Sequence, residues 1–232
     1  MNFGILLCGG TGTRMGKDFL VPKQYIKVND KRIFSYSLTI FDNNKLIDEI
    51  IVCADIQWQT IIKKIYHEMG GQKRILFAEP GETRQMSVYN SLKIAKQYSQ
   101  KLTDLAVIHD GARPMVDDEI LDDCIRVANL FDGAIATIPV NDTIYQSENG
   151  STITNIPKRD MLRAGQTPEA FQLHKYLQIH DNRSVEEINC VTGGAEFAAN
   201  NGMKIGFSKG KITNLKITTK RDLESFLQMV DE

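Results

Sequence analysis

Short apolar runs alternate with helix-length segments along most of the chain, and this alternation restricts the fold more than any other feature. FGILL (3–7), EIIVCAD (49–55), RILFAEP (74–80), LAVIHD (105–110) and GAIATIPV (133–140) each have the length and branched composition of a buried strand. Between them, residues 33–42, 57–69, 84–97 and 117–131 carry helical spacing. Strands separated by helices of this length predict an α/β chain whose sheet is mostly parallel and covered on both faces. In such sheets the ligand crevice lies outside the carboxyl ends of the strands. Chemistry is therefore expected directly after residues 7, 55, 80, 110 and 140.

The rhythm breaks at NDTIYQSENGSTITNIPKRD (141–160), where short alternating segments flank Asn149-Gly150, a strong hairpin signal. This predicts a β-arm projecting from the sheet, able to pack on a second subunit or fold back on its own domain. The tail predicts a short strand through NLKITT and a final helix capped near Thr219, with Asp222 three residues later. At 232 residues, the chain fits one domain (1–232) bearing that arm.

Charge excludes one large class of partner. The formal net charge is −1, whereas a nucleic-acid binder ordinarily shows a basic excess. Cys8, Cys53, Cys124 and Cys190 lie far apart without CxxC or finger spacing, which predicts free thiols in a reducing compartment. There is no basic leader with an apolar stretch behind it and no apolar run of membrane-spanning length, so a cytoplasmic protein without a membrane partner is expected.

The loop after the first strand reads GGTGTRMG (9–16). It lacks the GK[ST] of a Walker loop and the GxGxxG spacing of a dinucleotide site. Glycines such as Gly9, Gly10 and Gly12 let backbone N–H groups approach an anion, and Arg14 adds a forked donor. Lys23, stiffened by Pro22, offers a point charge to the same anion, and together they suit a triphosphate. A plain glycine turn with solvated basic residues is the competing reading. In GETRQMSV (81–88), Arg84 and Ser87 suit contacts to a base or ribose, or else simply begin a helix.

HDGARP (109–114) is more informative. Asp110 at a strand end presents a carboxylate for Mg²⁺, an ion that prefers carboxylate and phosphate oxygens, and Arg113 before Pro114 suits a second anionic substrate. A helix cap is the bland alternative for Asp110. Thr143, Arg159, Thr167 and Lys216 add polar or cationic groups widely spaced in sequence. Two anionic substrates meeting around a metal fit nucleotidyl transfer.

LLCGGTGTRMG, VPKQY, GETRQMSV, IHDGARP, PVNDTI, the arginine of PKRD, GQTPEAF and NLKITTKRDL together resemble the cytidylyltransferases that activate methylerythritol phosphate or ribitol 5-phosphate, in order over nearly the whole chain. The resemblance implies a Rossmann-like α/β fold and a homodimer whose arm reaches the partner. It implies that CTP phosphates are bound by Gly10, Gly12, Thr13, Arg14 and Lys23, and the nucleotide by Arg84 and Ser87. It further implies Mg²⁺ on Asp110, the acceptor phosphate at Arg113, Thr143, Thr167 and Arg159, and Lys216 facing the reacting phosphates. Arg159 then serves the other subunit's site.

GGTGTRMG, its spacing to VPKQ, and the NLKITT tail favour the ribitol 5-phosphate branch, with methylerythritol phosphate as the alternative acceptor. One departure stands out: family members commonly carry aspartate after the threonine of NCVTGG, whereas here Thr192 is followed by Gly193. A hexose 1-phosphate nucleotidylyltransferase would share a glycine loop and a metal-binding aspartate, but HDGARP and QTPEAF suit it less. A noncatalytic nucleotide-binding domain would hold CTP without turnover. His109 is expected to serve packing or a backbone bond, and Cys8 to be buried packing.

Overall fold

In the computed structural model, residues 1–10 and 21–231 are described. Nine strands and eight α-helices are found among them: β1 (Asn2–Leu7), β2 (Lys27–Val28), β3 (Lys31–Arg32), α1 (Ile33–Asn43), β4 (Glu49–Cys53), α2 (Ile56–Glu68), β5 (Arg74–Ala78), α3 (Arg84–Tyr98), β6 (Leu105–Asp110), α4 (Asp118–Ala128), β7 (Gly133–Pro139), β8 (Arg163–Gln172), α5 (Leu173–Asp181), α6 (Val185–Asn189), α7 (Gly194–Asn200), β9 (Ile205–Lys209) and α8 (Lys220–Asp231). Seven strands form one sheet in the order β5-β4-β1-β6-β8-β7-β9, and β2 and β3 form a separate small ribbon. β8 runs antiparallel to β6 and β7, and the other pairings within the large sheet are parallel.

The pleat explains the two covered faces. Leu6, Ile50, Val52 and Val107 point to one side, where they join Phe34, Leu38 and Phe41 of α1, Ile62 of α2 and Ile120 of α4. Phe3, Ile5, Ile51 and Ile108 point to the other, against Val88 and Leu92 of α3, Tyr176 of α5 and Phe197 of α7. Chain order reverses direction across the sheet between β1 and β6, since β4 and β5 lie on one side of β1 and β6 on the other. That reversal opens a crevice at the carboxyl ends of these strands.

Three local expectations change. Residues 141–160 do not form a hairpin ladder among the described residues; one bridge joins Gln146 to Asn155. The turn itself is present, with Gly150 at φ 74° and Asn149 Oδ1 accepting from the backbone N–H groups of Ser151 and Thr152. A lone two-stranded ribbon is marginal in water, and Ile144, Tyr145, Ile153 and Ile156 are exposed with no sheet to cover them. NLKITT is likewise not a strand; it is pinned to the loop after β6 by the bond from Ile217 N–H to the Ala112 carbonyl. The fourth expected helix runs over Asp118–Ala128 rather than 117–131, because the Asp117 side chain caps its start by accepting from Ile120 N–H. The Thr219 expectation holds: Thr219 Oγ1 accepts from Asp222 N–H, while the Asp222 carboxylate accepts from Thr218 and Thr219 N–H. All four cysteines are free thiols, and among the described residues no helix is long and apolar enough to cross a membrane.

Candidate active site

A cavity of about 370 Å³ opens at the switch between β1 and β6, lined by Gly9, Gly10, Lys23, Arg84, Ser87, Asp110 and Lys216 among others. Each element delivers one part of it. The end of β1 brings Gly9 against Pro80 after β5, where a Cβ on residue 9 would sit 2.3 Å from the proline Cβ, so only glycine permits this approach. Gln24, in the 3₁₀ turn Lys23–Tyr25, donates to the carbonyls of Cys8 (2.6 Å) and Gly10 (2.7 Å). Tyr25 OH donates to the Cys8 carbonyl as well, and its ring stacks on Trp58 at 3.9 Å. These bonds fix the backbone on which the first loop starts and set Lys23 at its edge. Gly12, Thr13 and Arg14 lie outside the described residues.

Asp110 terminates β6 and is nearly buried. Its Oδ1 accepts from Arg84 Nε at 3.0 Å and its Oδ2 from Lys216 Nζ at 2.6 Å. Burial by itself raises a carboxyl pKa, but Arg84, Lys216 and Arg113 outweigh it and hold Asp110 far below the ordinary aspartate range, so it is a carboxylate at any working pH. Arg84 is the first residue of α3, whose N-cap Thr83 accepts from Met86 N–H. Ser87 accepts from Gly81 N–H and donates to the Thr83 carbonyl, which shapes the loop after β5 around the cavity.

No group of three or more His, Cys, Asp or Glu side chains able to hold a metal is found among the described residues. Two carboxylates, Glu82 and the ionised Asp110, instead line the cavity beside Lys23, Arg84 and Lys216. This fits Mg²⁺, which keeps waters and commonly combines one or two carboxylates with substrate phosphates.

The remaining expected residues separate into two places. Arg113 Nη1 donates to the Asn214 carbonyl at 2.7 Å, and its buried Nε has no hydrogen-bond partner among the described residues. Thr167 is buried, with its Oγ1 accepting from Asp110 N–H and lying 3.1 Å from His109 Nδ1. Its hydroxyl thus holds the Asp110 backbone from behind. His109 Nε2 meets the Arg113 carbonyl at 2.9 Å, and burial pushes its pKa down to about 4, in keeping with the backbone-bonding role expected for it. Thr143 and Arg159 are not at this cavity; both are exposed on the 141–160 segment, where Arg159 Nη2 donates to Thr143 Oγ1 at 3.2 Å.

Two residues not singled out by sequence carry much of the geometry. Gln24 follows the expected lysine in VPKQY, and its role emerges only when the chain folds back on Cys8 and Gly10. Glu169, within GQTPEAF, accepts from Arg84 Nη2 at 3.0 Å.

A cavity lined by Lys23, Arg84 and Lys216 around the Asp110 carboxylate suits a polyanion, and comparison with known proteins says which kind. The family model described as 2-C-methyl-D-erythritol 4-phosphate cytidylyltransferase (IspD) matches residues 3–230. The chain belongs to this family. It is a CTP-dependent cytidylyltransferase, and its relatives carry two names. A 2-C-methyl-D-erythritol 4-phosphate cytidylyltransferase of Clostridioides difficile is 32% identical over 227 residues, covering 98% of this chain and 92% of that protein. A ribitol-5-phosphate cytidylyltransferase of Streptococcus pneumoniae is 32% identical over 241 residues, covering 100% of both. Among solved structures, 4-diphosphocytidyl-2C-methyl-D-erythritol synthase of Anaerococcus prevotii shares the fold with a TM-score of 0.83 at 22% identity, over 100% of this chain and 96% of that one. The Francisella tularensis IspD structure gives 0.78 at 28% identity, over 97% of each chain.

Proposed function

We propose that this cytidylyltransferase transfers CMP from CTP to D-ribitol 5-phosphate, releasing pyrophosphate and forming CDP-ribitol. The observation that carries the transfer chemistry is Asp110 held between Arg84 and Lys216 in the cation-lined cavity behind Gly9 and Gly10. Support for the acceptor comes from GGTGTRMG and the NLKITT tail and from full-length similarity to the ribitol-5-phosphate enzyme of S. pneumoniae. The second reading, transfer to 2-C-methyl-D-erythritol 4-phosphate, is favoured by the C. difficile relative.

In the reaction, an oxygen of the acceptor's phosphate attacks the α-phosphorus of CTP. A new P–O bond forms, the bond to the bridging oxygen breaks, and its electron pair leaves with pyrophosphate. A phosphate monoester is already a nucleophile near neutral pH, so the protein's task is to align two anions and stabilise the charge gathered between them. Lys23 and Arg14 hold the triphosphate, with Gly9, Gly10, Gly12 and Thr13 supplying backbone donors. Arg84 and Ser87 face the nucleotide, and Lys216 stabilises the charge at the reacting phosphates. Asp110 would hold Mg²⁺, which would supply charge neutralisation at the phosphate oxygens. Arg113, with its unpaired Nε, takes the acceptor's phosphate. Thr143 and Arg159 lie away from this cavity in their own chain, and in a homodimer they serve the partner's site.

The test is pyrophosphate release from CTP and Mg²⁺ with ribitol 5-phosphate and methylerythritol phosphate supplied separately. A higher kcat/KM for ribitol 5-phosphate is expected; the reverse preference establishes the second reading, and turnover of neither rejects both.

A further inference from the structure

Arg84 occupies an awkward position. It is the first residue of α3, so its positive charge sits at the positive end of that helix's dipole, where cations are unfavourable. Two carboxylates hold it there: Asp110 takes Nε and Glu169 takes Nη2, each at 3.0 Å. Burial alone would lower the arginine's pKa, and these two carboxylates reverse that and raise it.

The two acids are not equivalent. Asp110 lines the cavity, whereas Glu169 is buried in β8 and does not line it. Glu169 uses Oε2 for Arg84 and Oε1 to accept from Ala195 N–H at 2.9 Å, in the first turn of α7. Space for it is kept by Gly194, where a Cβ would meet the Glu169 oxygens at 2.9 and 3.0 Å and Tyr176 Oη at 3.0 Å. Strand β8, the start of α3 and the start of α7 therefore converge on one carboxylate that does not line the cavity.

Only one of the two acids faces the cavity that would receive substrate. Mg²⁺ arriving with the nucleotide would compete with Arg84 and Lys216 for the Asp110 carboxylate, and Arg84 would then lose one of its two anchors. Glu169, shielded behind the guanidinium, keeps the other. A forked guanidinium held at one end still presents its remaining N–H groups in a fixed plane.

We propose that Glu169 is a positioning residue for cytidylyl transfer: it holds the Arg84 guanidinium against the cavity when Mg²⁺ accompanying the nucleotide draws Asp110 away, and so sets the affinity for CTP. The inference rests on the cytidylyltransferase assignment and is independent of which polyol phosphate is the acceptor.

The experiment compares wild type, Glu169→Gln, Glu169→Asp, Arg84→Gln and the Glu169→Gln/Arg84→Gln double variant, using whichever acceptor wild type turns over. Equilibrium CTP binding with Mg²⁺, KM for CTP, kcat and Tm are measured for each. Glutamine keeps the side chain's shape and an acceptor for Ala195 N–H while removing the charge that grips Arg84. Glu169→Gln is expected to raise both Kd and KM for CTP about tenfold, with a much smaller change in kcat, because a charge-assisted bond becomes a neutral one. Glu169→Asp should fall between the two, and the double variant should bind CTP no worse than Arg84→Gln alone. A Kd and KM for CTP within about twofold of wild type in Glu169→Gln, whatever its Tm, overturns the proposal. So does a double variant whose CTP affinity falls by the product of the two single losses. If Glu169→Gln does not fold, the same criterion is applied to Glu169→Asp.

Discussion

Asp110, Arg84 and Lys216 form a cluster that a protein without a polyanionic ligand has little reason to keep. Taking these charges out of water costs several kcal/mol per ion, and Arg84 opposes the α3 dipole as well. The expense is explained when the cations also serve phosphates. Lys216→Met should therefore act on chemistry more than on folding: loss of one preorganised donor is worth about 2.7–4 kcal/mol in the transition state, so kcat is expected to fall about a hundredfold to a thousandfold. Single-turnover CTP consumption measures it. Residues of this kind were legible in the sequence where they sit at a strand end, as Asp110 does, or at the helix start that follows a strand, as Arg84 does. Glu169 was not, because its role depends on β8 lying beside β6, a relation that no local spacing reports. The bond from Asp110 N–H to Thr167 Oγ1 was illegible for the same reason, since it spans two strands that are distant in sequence.

Helix α3 ties the nucleotide side of the cavity to the body of the sheet, and its cap is a single hydroxyl. Thr83→Ala is expected to cost about 1 kcal/mol of stability and, by loosening the turn that carries Arg84, to raise KM for CTP; chemical denaturation and steady-state kinetics check the two effects separately. At α8 the cap is ionisable. Burial raises the Asp222 pKa, but the bonds from the Thr218 hydroxyl and from the Thr218 and Thr219 N–H groups prevail and hold it at about 2. A depressed carboxylate stabilises the fold above its unfolded pKa and ceases to as pH falls through its folded one. Asp222→Asn should thus lower Tm at pH 7, and the gap to wild type should close between about pH 4 and about pH 2. Thermal melts across that range measure it. Most of the parallel elements were readable because branched apolar runs and helical spacing coincide with strands and helices. β8 was not, since RAGQTPEAFQ contains a glycine and a proline that argue against a strand. The structure accommodates them at an irregularity: β7 pairs Ile135 with Glu169 and then Thr137 with Gly165, which leaves Pro168 where the ladder is interrupted.

On the scale of the whole molecule, the sheet supplies the nucleotide side of the site, while Thr143 and Arg159 stand on an exposed segment with uncovered Ile144, Tyr145, Ile153 and Ile156. A homodimer accounts for both observations: the segment gains a surface to lie on, and its arginine gains a phosphate. Sedimentation equilibrium should give about twice the 26.2 kDa chain mass, and a monomer across the assay concentration range would contradict this part of the account. The central claim concerns the acceptor, and competition tests it most directly. CTP and Mg²⁺ are supplied with equal concentrations of ribitol 5-phosphate and 2-C-methyl-D-erythritol 4-phosphate in one reaction, and the two cytidine diphosphate products are quantified at early time, where their ratio equals the ratio of kcat/KM values. CDP-ribitol in large excess is the predicted result, and an excess of the methylerythritol product would contradict it.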